Sequence, residues 1–580
     1  MVRFEIKDRD AGARLCRMTI GESTLETPLF LPVFNPNVPT ITPKEMEEEF
    51  GLKALITNAY IIYKNGRLRE EALNVGIHRM LGFSGTVFCD SGAYQTFRGD
   101  VELTQEEIVR FQEKVGADVG VMLDIPSKQE SYSETRESVL KTVERAREWS
   151  LIHPDSDVCW EGVIQGGGFR DLVKLSCREM KRFHFDMFAV GVPPRLWKGY
   201  GFKGITLQGL TAKMSLPSNK PIHAFGMGHP MVMSLLTAIG YDLYDSASYS
   251  IYARDLRYMT ELGTRRLEEL VFLPCNCPVC EKHGVSELWE MDEETRVKTL
   301  AKHNLYAIQR ETRIVKQAIR ENRLWELVQQ RARAHPSLLE ALVTVLKRGG
   351  SFFQSVDPVS KRSALFYSGS ETKLRPELRR ALRRVKERLG TYVVPSALKE
   401  AYPFGQSILL GKVFRWDGRE YNDLEKIRVV ADFQFGKGVG PTLFPEGVRL
   451  EKSKVTGRMR RVWLGEGLLA TQRAENGLFA LKVYGARLVH KALNYPRYRV
   501  VIVDDEEVHG IVGRGGNVFP RFILACDKEL VPREEALVVD SKDRLLAVGD
   551  AVLSGSEMRE FQHGMAVNVR EGVIESARTP

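Results

Sequence analysis

Two aspartates stand where apolar runs stop. Residues 86–89 lead into Asp90-Ser91-Gly92, and Tyr241-Asp242-Leu243-Tyr244 leads into Asp245-Ser246. A carboxylate at the end of a buried strand is held at the rim of a core, partly desolvated and aimed outward. Two such groups facing one pocket are the types needed for substitution at a glycosidic carbon, one as nucleophile and one as proton carrier. A lone strand-end aspartate is ordinarily a cap on the next helix. The pair therefore needs elements that bring both to one place.

Those elements are legible. Short runs that are apolar on both faces recur at 28–34, 54–57, 86–89, 121–123, 162–164, 187–190, 222–225 and 243–244. Most end on a polar residue or glycine: Asn58, Asp90, Asp124, Gln165, Gly191, Gly226 and Asp245. Runs without alternation suit parallel strands covered by helices. Helical patterns lie between them. Thr104 and Glu107 form a capping box, and Pro230 opens a helix carrying Val232, Leu235, Leu236 and Ile239. Eight strands alternating with helices predict a (β/α)8 TIM-like barrel, with a doubly wound sheet as the alternative. In a barrel the polar strand ends would ring one mouth.

A second cluster follows the barrel. Cys275, Cys277 and Cys280 have C-x-C-x-x-C spacing, close enough for three thiolates to reach one ion. A structural zinc takes four nitrogen or sulfur ligands in a tetrahedron. His303, at the start of a helical stretch, is the preferred fourth ligand; His283 is nearer but lies only three residues past Cys280. Three cysteines favour zinc, one per chain, over an iron–sulfur cluster. A closed Cys3His set leaves no open position for substrate, so the zinc is expected to be structural. The other five cysteines are scattered singly, as buried thiols in a reducing compartment are.

At 580 residues the chain exceeds one domain, and its length prior is about four. No apolar run is long enough to cross a membrane, and the N-terminus has no signal-peptide core, so a cytoplasmic location is expected. The formal charge is +9, yet residues 301–400 carry a net +12 and the remaining 480 sum to −3. The basic stretch, densest from Leu374 to Lys386, reads either as a polyanion site or as a solvated helix face.

The segments Thr57-Asn58-Ala59-Tyr60, Asp90 to Gln95, Leu123-Asp124-Ile125-Pro126, Ile164-Gln165-Gly166, Phe225 to Pro230 and Asp245 to Tyr249, with the Cys3His set, resemble the archaeal tRNA-guanine transglycosylases over nearly the whole chain. The resemblance implies a modified (β/α)8 barrel with a zinc subdomain. It also implies replacement of guanine at position 15, in the tRNA D-arm, by 7-cyano-7-deazaguanine, through a covalent RNA–enzyme ester, in archaeosine formation. Under it Asp245 is the nucleophile and Asp90 the general acid/base. Asp124 would accept from the base, Gln165 and the Gly191 backbone would read its other edge, and Tyr94 and Phe225 would sandwich it. Ser91 joins this substrate set, and a homodimer is expected. The chain departs from the family pattern at Val192-Pro193-Pro194-Arg195-Leu196-Trp197. A non-catalytic tRNA-binding or later-step archaeosine paralogue and a carbohydrate-active barrel are the competing readings.

The expected domains are a catalytic barrel at 1–350 with zinc subdomain at about 270–310, small α/β and α+β domains at 351–425 and 426–497, and a β-rich domain at 498–580. Short β runs at 498–503, 522–525, 536–539, 545–548 and 566–569, with Ala547 to Ala551 and Gly564 to Val567, resemble a PUA domain, which implies binding of structured RNA. Arg458, Arg460 and Arg461 form a further basic cluster that could touch phosphates.

Overall fold

The computed structural model describes residues 2–98, 103–127, 131–152 and 157–574. The chain divides into two compact units, one built mainly from 13–320 and 327–345 and the other mainly from 346–580.

The first unit is a parallel barrel. Its strands are β1 (Leu29–Pro32), β2 (Ala54–Asn58), β3 (Thr86–Asp90), β4 (Val119–Val121), β5 (Cys159–Ile164), β6 (Met187–Val190), β7 (Ile222–Ala224) and β8 (Leu243–Ser246). They follow one another round the sheet, and β8 pairs with β1. A parallel bridge between Val33 and Ile56 brings β1 to β2 and nearly closes the ring. A doubly wound sheet would reverse its strand order; this one does not. All eight predicted strands are present. The fourth sits two residues earlier than expected, so Met122 and Leu123 are buried beyond it and Asp124 follows them. Helix Gln105–Lys114 starts at the Thr104–Glu107 capping box, and helix Pro230–Ile239 has its proline in the first turn.

A three-stranded antiparallel sheet, Arg3–Asp10, Ala13–Ile20 and Ser23–Thr27, precedes the barrel. The hairpin Arg257–Thr260 and Gly263–Arg266 follows it, then the 29-residue helix Glu293–Glu321.

The second unit contains helix Pro376–Leu389, a four-stranded antiparallel sheet from Arg449–Lys452 to Phe479–Leu481, and a final five-stranded sheet. That last sheet has strands β9 (Arg499–Ile502), β10 (Ile523–Cys526), β11 (Glu535–Val539), β12 (Leu545–Ala551) and β13 (Val567–Gly572), in the order β10-β9-β11-β12-β13. Residues 575–580 of the expected 498–580 domain lie outside the described residues.

The basic helix is neither a plain solvated face nor a uniform polyanion surface. Arg379, Arg383 and Lys386 are exposed, but Arg375, Arg380 and Arg384 are buried. Arg375 pairs with Glu326 and Glu377, Arg384 pairs with Glu534, and Arg380 donates to the Asp357 carbonyl at 2.6 Å. Nearby, Lys361 lies 2.7 Å from Asp10, 3.1 Å from Asp357 and 3.6 Å from Glu377, all buried. Much of this segment's charge is therefore consumed inside the unit. Composition counts an arginine the same whichever face of a helix it occupies, so the sequence could not separate them.

Candidate active site

The strand ends meet in one cavity of about 510 Å³ in the first unit. Asn58, Asp90, Tyr94, Asp124, Gln165, Gly191, Phe225 and Asp245 all line it. Ser91 does not. It is fully buried behind Asp90, and its hydroxyl has no hydrogen-bond partner among the described residues.

Asp90 is the last residue of β3 and sits level with Asn58 at the end of β2. Asn58 caps the next helix: its Oδ1 accepts from the Ile61 N–H at 3.0 Å. That bond leaves Nδ2 to donate to Asp90 Oδ2 at 2.7 Å, so the cap also fixes the amide's orientation toward the acid. Gly92 turns the chain at φ 89°; a Cβ there would lie 2.3 Å from Tyr60 Cβ. Burial, then the negative charges of Asp124 and Asp245, push the Asp90 carboxyl up to about 7, against the Gly92 and Asn58 donors.

Asp124 is buried and accepts from the Gln165 side chain. Burial raises it to about 6, with Gln165 pulling the other way. A Cβ at Gly191 would come within 2.7 Å of Gln165 Nε2 and push that amide from its place beside Asp124. Its N–H donates to the Ile164 carbonyl at 3.0 Å and its carbonyl accepts from Gln208 Nε2 at 2.7 Å. Only the second lone pair of that carbonyl is left for a ligand. Gln208, inside a helix, carried no sequence signal.

Asp245, third residue of β8, is held differently. Its Oδ1 accepts from the Gly226 N–H at 2.7 Å and lies 3.2 Å from His223 Nε2. His223 lies inside a run expected to be apolar, and Glu161 lies just before another, in a strand that starts three residues earlier than expected. Their signal was a charged or titratable residue at an inward position of a buried strand.

The family-departing segment becomes one wall of the cavity. Val192, Pro193, Trp197 and Lys198 line it, the last two from the short helix Pro194–Lys198. Tyr94 is 48 % exposed at the mouth, and Phe225 is partly buried. Two carboxylates, an acceptor pair and two aromatic rings can together hold a flat heterocycle and attack the carbon attached to it.

The cysteine cluster also forms. The ligand atoms of Cys275, Cys277, Cys280 and His303 lie within 4.8 Å of one another. Cys277 Sγ is 3.6 Å from Cys280 Sγ and 3.4 Å from His303 Nδ1. Thiolates on one tetrahedral zinc are separated by about 3.8 Å, given bonds of about 2.3 Å. His303 Nε2 donates to the Met259 carbonyl at 3.0 Å, which leaves Nδ1 as the ligand atom. Tyr258 stacks on the imidazole at 3.6 Å, and its hydroxyl is 3.3 Å from Cys280 Sγ. The cluster can hold a metal. His283 is not in it and instead faces Glu287 at 3.8 Å.

Residues 8–337 match the family model described as queuine tRNA-ribosyltransferase. This chain belongs to that family. Residues 425–496 match the patch-forming C2 domain of tRNA-guanine transglycosylase, and 499–573 match the PUA domain. Relatives align with this chain from end to end. The chain is 40 % identical to a tRNA-guanine(15) transglycosylase of Thermococcus kodakarensis, over 98 % of this chain and 99 % of that protein. It is 41 % identical to the protein of that name in Pyrococcus furiosus, over 99 % of each, and 35 % identical to that of Methanocaldococcus jannaschii, over 98 % and 99 %. Among the described residues no helix is long and apolar enough to cross a membrane.

Proposed function

We propose that this transglycosylase-family chain exchanges guanine at position 15 of tRNA for 7-cyano-7-deazaguanine, in archaeosine biosynthesis. The observation that carries the residue roles is the contrast between two acids in one cavity. Asp90 has burial and two carboxylates around it; Asp245 has a backbone N–H and an imidazole. An acid poised near neutrality suits proton transfer, and a carboxylate with one oxygen held by a backbone N–H keeps the other free to attack.

In the first step an Asp245 oxygen forms a bond to C1′ as the C1′–N9 bond breaks. The electron pair leaves with guanine, and Asp90 supplies a proton to it. In the second step the carboxylate of Asp90 takes a proton from the incoming base. That base attacks C1′, and the ester's electron pair returns to Asp245. Two displacements retain configuration. Asp124 and Gln165 read the base edge, and Tyr94 and Phe225 stack on its faces. Zinc fills the Cys3His site and holds the 275–280 segment to the long helix without entering the reaction. A cytoplasmic homodimer is the expected working form.

Labelled guanine and unmodified transcript test the exchange directly; a non-catalytic paralogue would leave the RNA unlabelled. Asp245→Ala should abolish the denaturant-stable RNA adduct. An adduct that persists and maps to Asp90 would reverse the two roles.

A further inference from the structure

His223 and Glu161 form a charged pair inside the barrel, behind the cavity. Both are fully buried, Glu161 on β5 and His223 on β7. His223 Nδ1 lies 3.2 and 3.3 Å from the two Glu161 oxygens, and its Nε2 lies 3.2 Å from Asp245 Oδ1. Phe88 from β3 and Phe225 just beyond β7 meet the ring edge-on. A neutral imidazole has one donor nitrogen, but here both nitrogens face carboxylates. The imidazolium is the form that suits both, with Nδ1 hydrogen-bonded to Glu161 and Nε2 in ion-pair range of Asp245.

Asp245 Oδ1 thus accepts from the Gly226 N–H and lies in ion-pair range of His223 Nε2, which is not aligned for a hydrogen bond, whereas Oδ2 makes no hydrogen bond among the described residues. We infer that Glu161 and His223 act as a positioning relay, Glu161 keeping His223 protonated and His223 anchoring Oδ1 so that Oδ2 is the oxygen that bonds to C1′. This rests on Asp245 being the nucleophile. The relay serves both displacements. It fixes the attacking oxygen in the first, and in the second it stabilises the carboxylate that must leave the ester. Burial alone would drive His223 to the neutral form; the Glu161 charge and the Asp245 contact override it and raise the group to about 9.

The test begins with the wild-type enzyme. The trapped RNA adduct is mapped to a peptide: an adduct on Asp245 keeps the underlying assignment, and an adduct elsewhere removes it and the relay together. Single-turnover adduct formation and resolution are then timed in Glu161→Gln, which keeps an acceptor for Nδ1–H and deletes only the charge. Both rates should fall more than fivefold with the KM for tRNA unchanged within twofold, and Glu161→Asp should recover part of the loss. A smaller loss, or a change confined to KM, overturns the relay. Should the variants fail to fold, the wild-type pH profile decides. Adduct formation should fall with a one-proton slope above about pH 7 as Asp90 ionises. It should steepen to two protons above about pH 9 as His223 gives up its own. A one-proton slope persisting to pH 10 would overturn the proposal.

Discussion

Asp90 works at a cost to the fold. Its carboxyl is raised to about 7 by burial and by Asp124 and Asp245, from an ordinary value of 3.8. Between about pH 4 and 7 the unfolded chain gives up this proton while the folded chain keeps it. Stability therefore declines as pH rises through that window, and the deficit is complete above it. At about 1.4 kcal/mol per pH unit the ceiling is about 4 kcal/mol, and relaxation brings it nearer 2. Asp90→Asn should abolish base exchange yet raise stability by roughly 2 kcal/mol at pH 8, with a smaller gain at pH 5. Melting curves at both values check this; an unchanged midpoint at pH 8 would mean the acid is not strained. At this scale the sequence was read well where a group ends a strand, because a polar residue after an apolar run stands out. Glu161, His223 and Gln208 were missed because their partners are 62 and 17 residues away in the chain. Nothing local marks them as anything but interruptions of a pattern.

Elements show the same division. The eight strands announce themselves through runs without alternation, and the capping box at Thr104 is local chemistry that needs no tertiary help. The zinc segment at 275–280 is equally local for its three cysteines, whereas His303 reaches them only because the long helix returns to that segment. Cys277→Ser should lower bound zinc and loosen that join, read as metal content and as earlier proteolysis of the 275–280 segment; metal content equal to wild type would refute the site. Helix Pro376–Leu389 gives the opposite lesson, since its two arginine faces have the same composition and different fates. Arg384→Ala strands a buried Glu534 and should cost about 3–5 kcal/mol in denaturant unfolding. Arg383→Ala, whose exposed partner Glu387 is 3.9 Å away, should cost less than about 0.5 kcal/mol.

For the whole molecule, the charge left exposed is smaller than the charge that composition counts. Arg458 and Arg460 remain exposed at the strand Met459–Leu464, while Arg461 is paired with Glu451 at 3.3 Å. Replacing Arg458 and Arg460 by alanine should lower the slope of log affinity for tRNA against log salt by about 1–2, leaving the rate at saturating tRNA unchanged. An unchanged slope would place the phosphates elsewhere. The four-carboxylate-and-amine geometry around Lys361, with Asp10, Asp357 and Glu377 as its ion-pair partners and Glu326 reached through Arg375, has a consequence of another kind. Removing Lys361 alone takes one shared cation from three buried carboxylates, whereas removing one of those acids leaves Lys361 two partners. Descendants of this chain can therefore lose one of those acids at far less cost than the lysine.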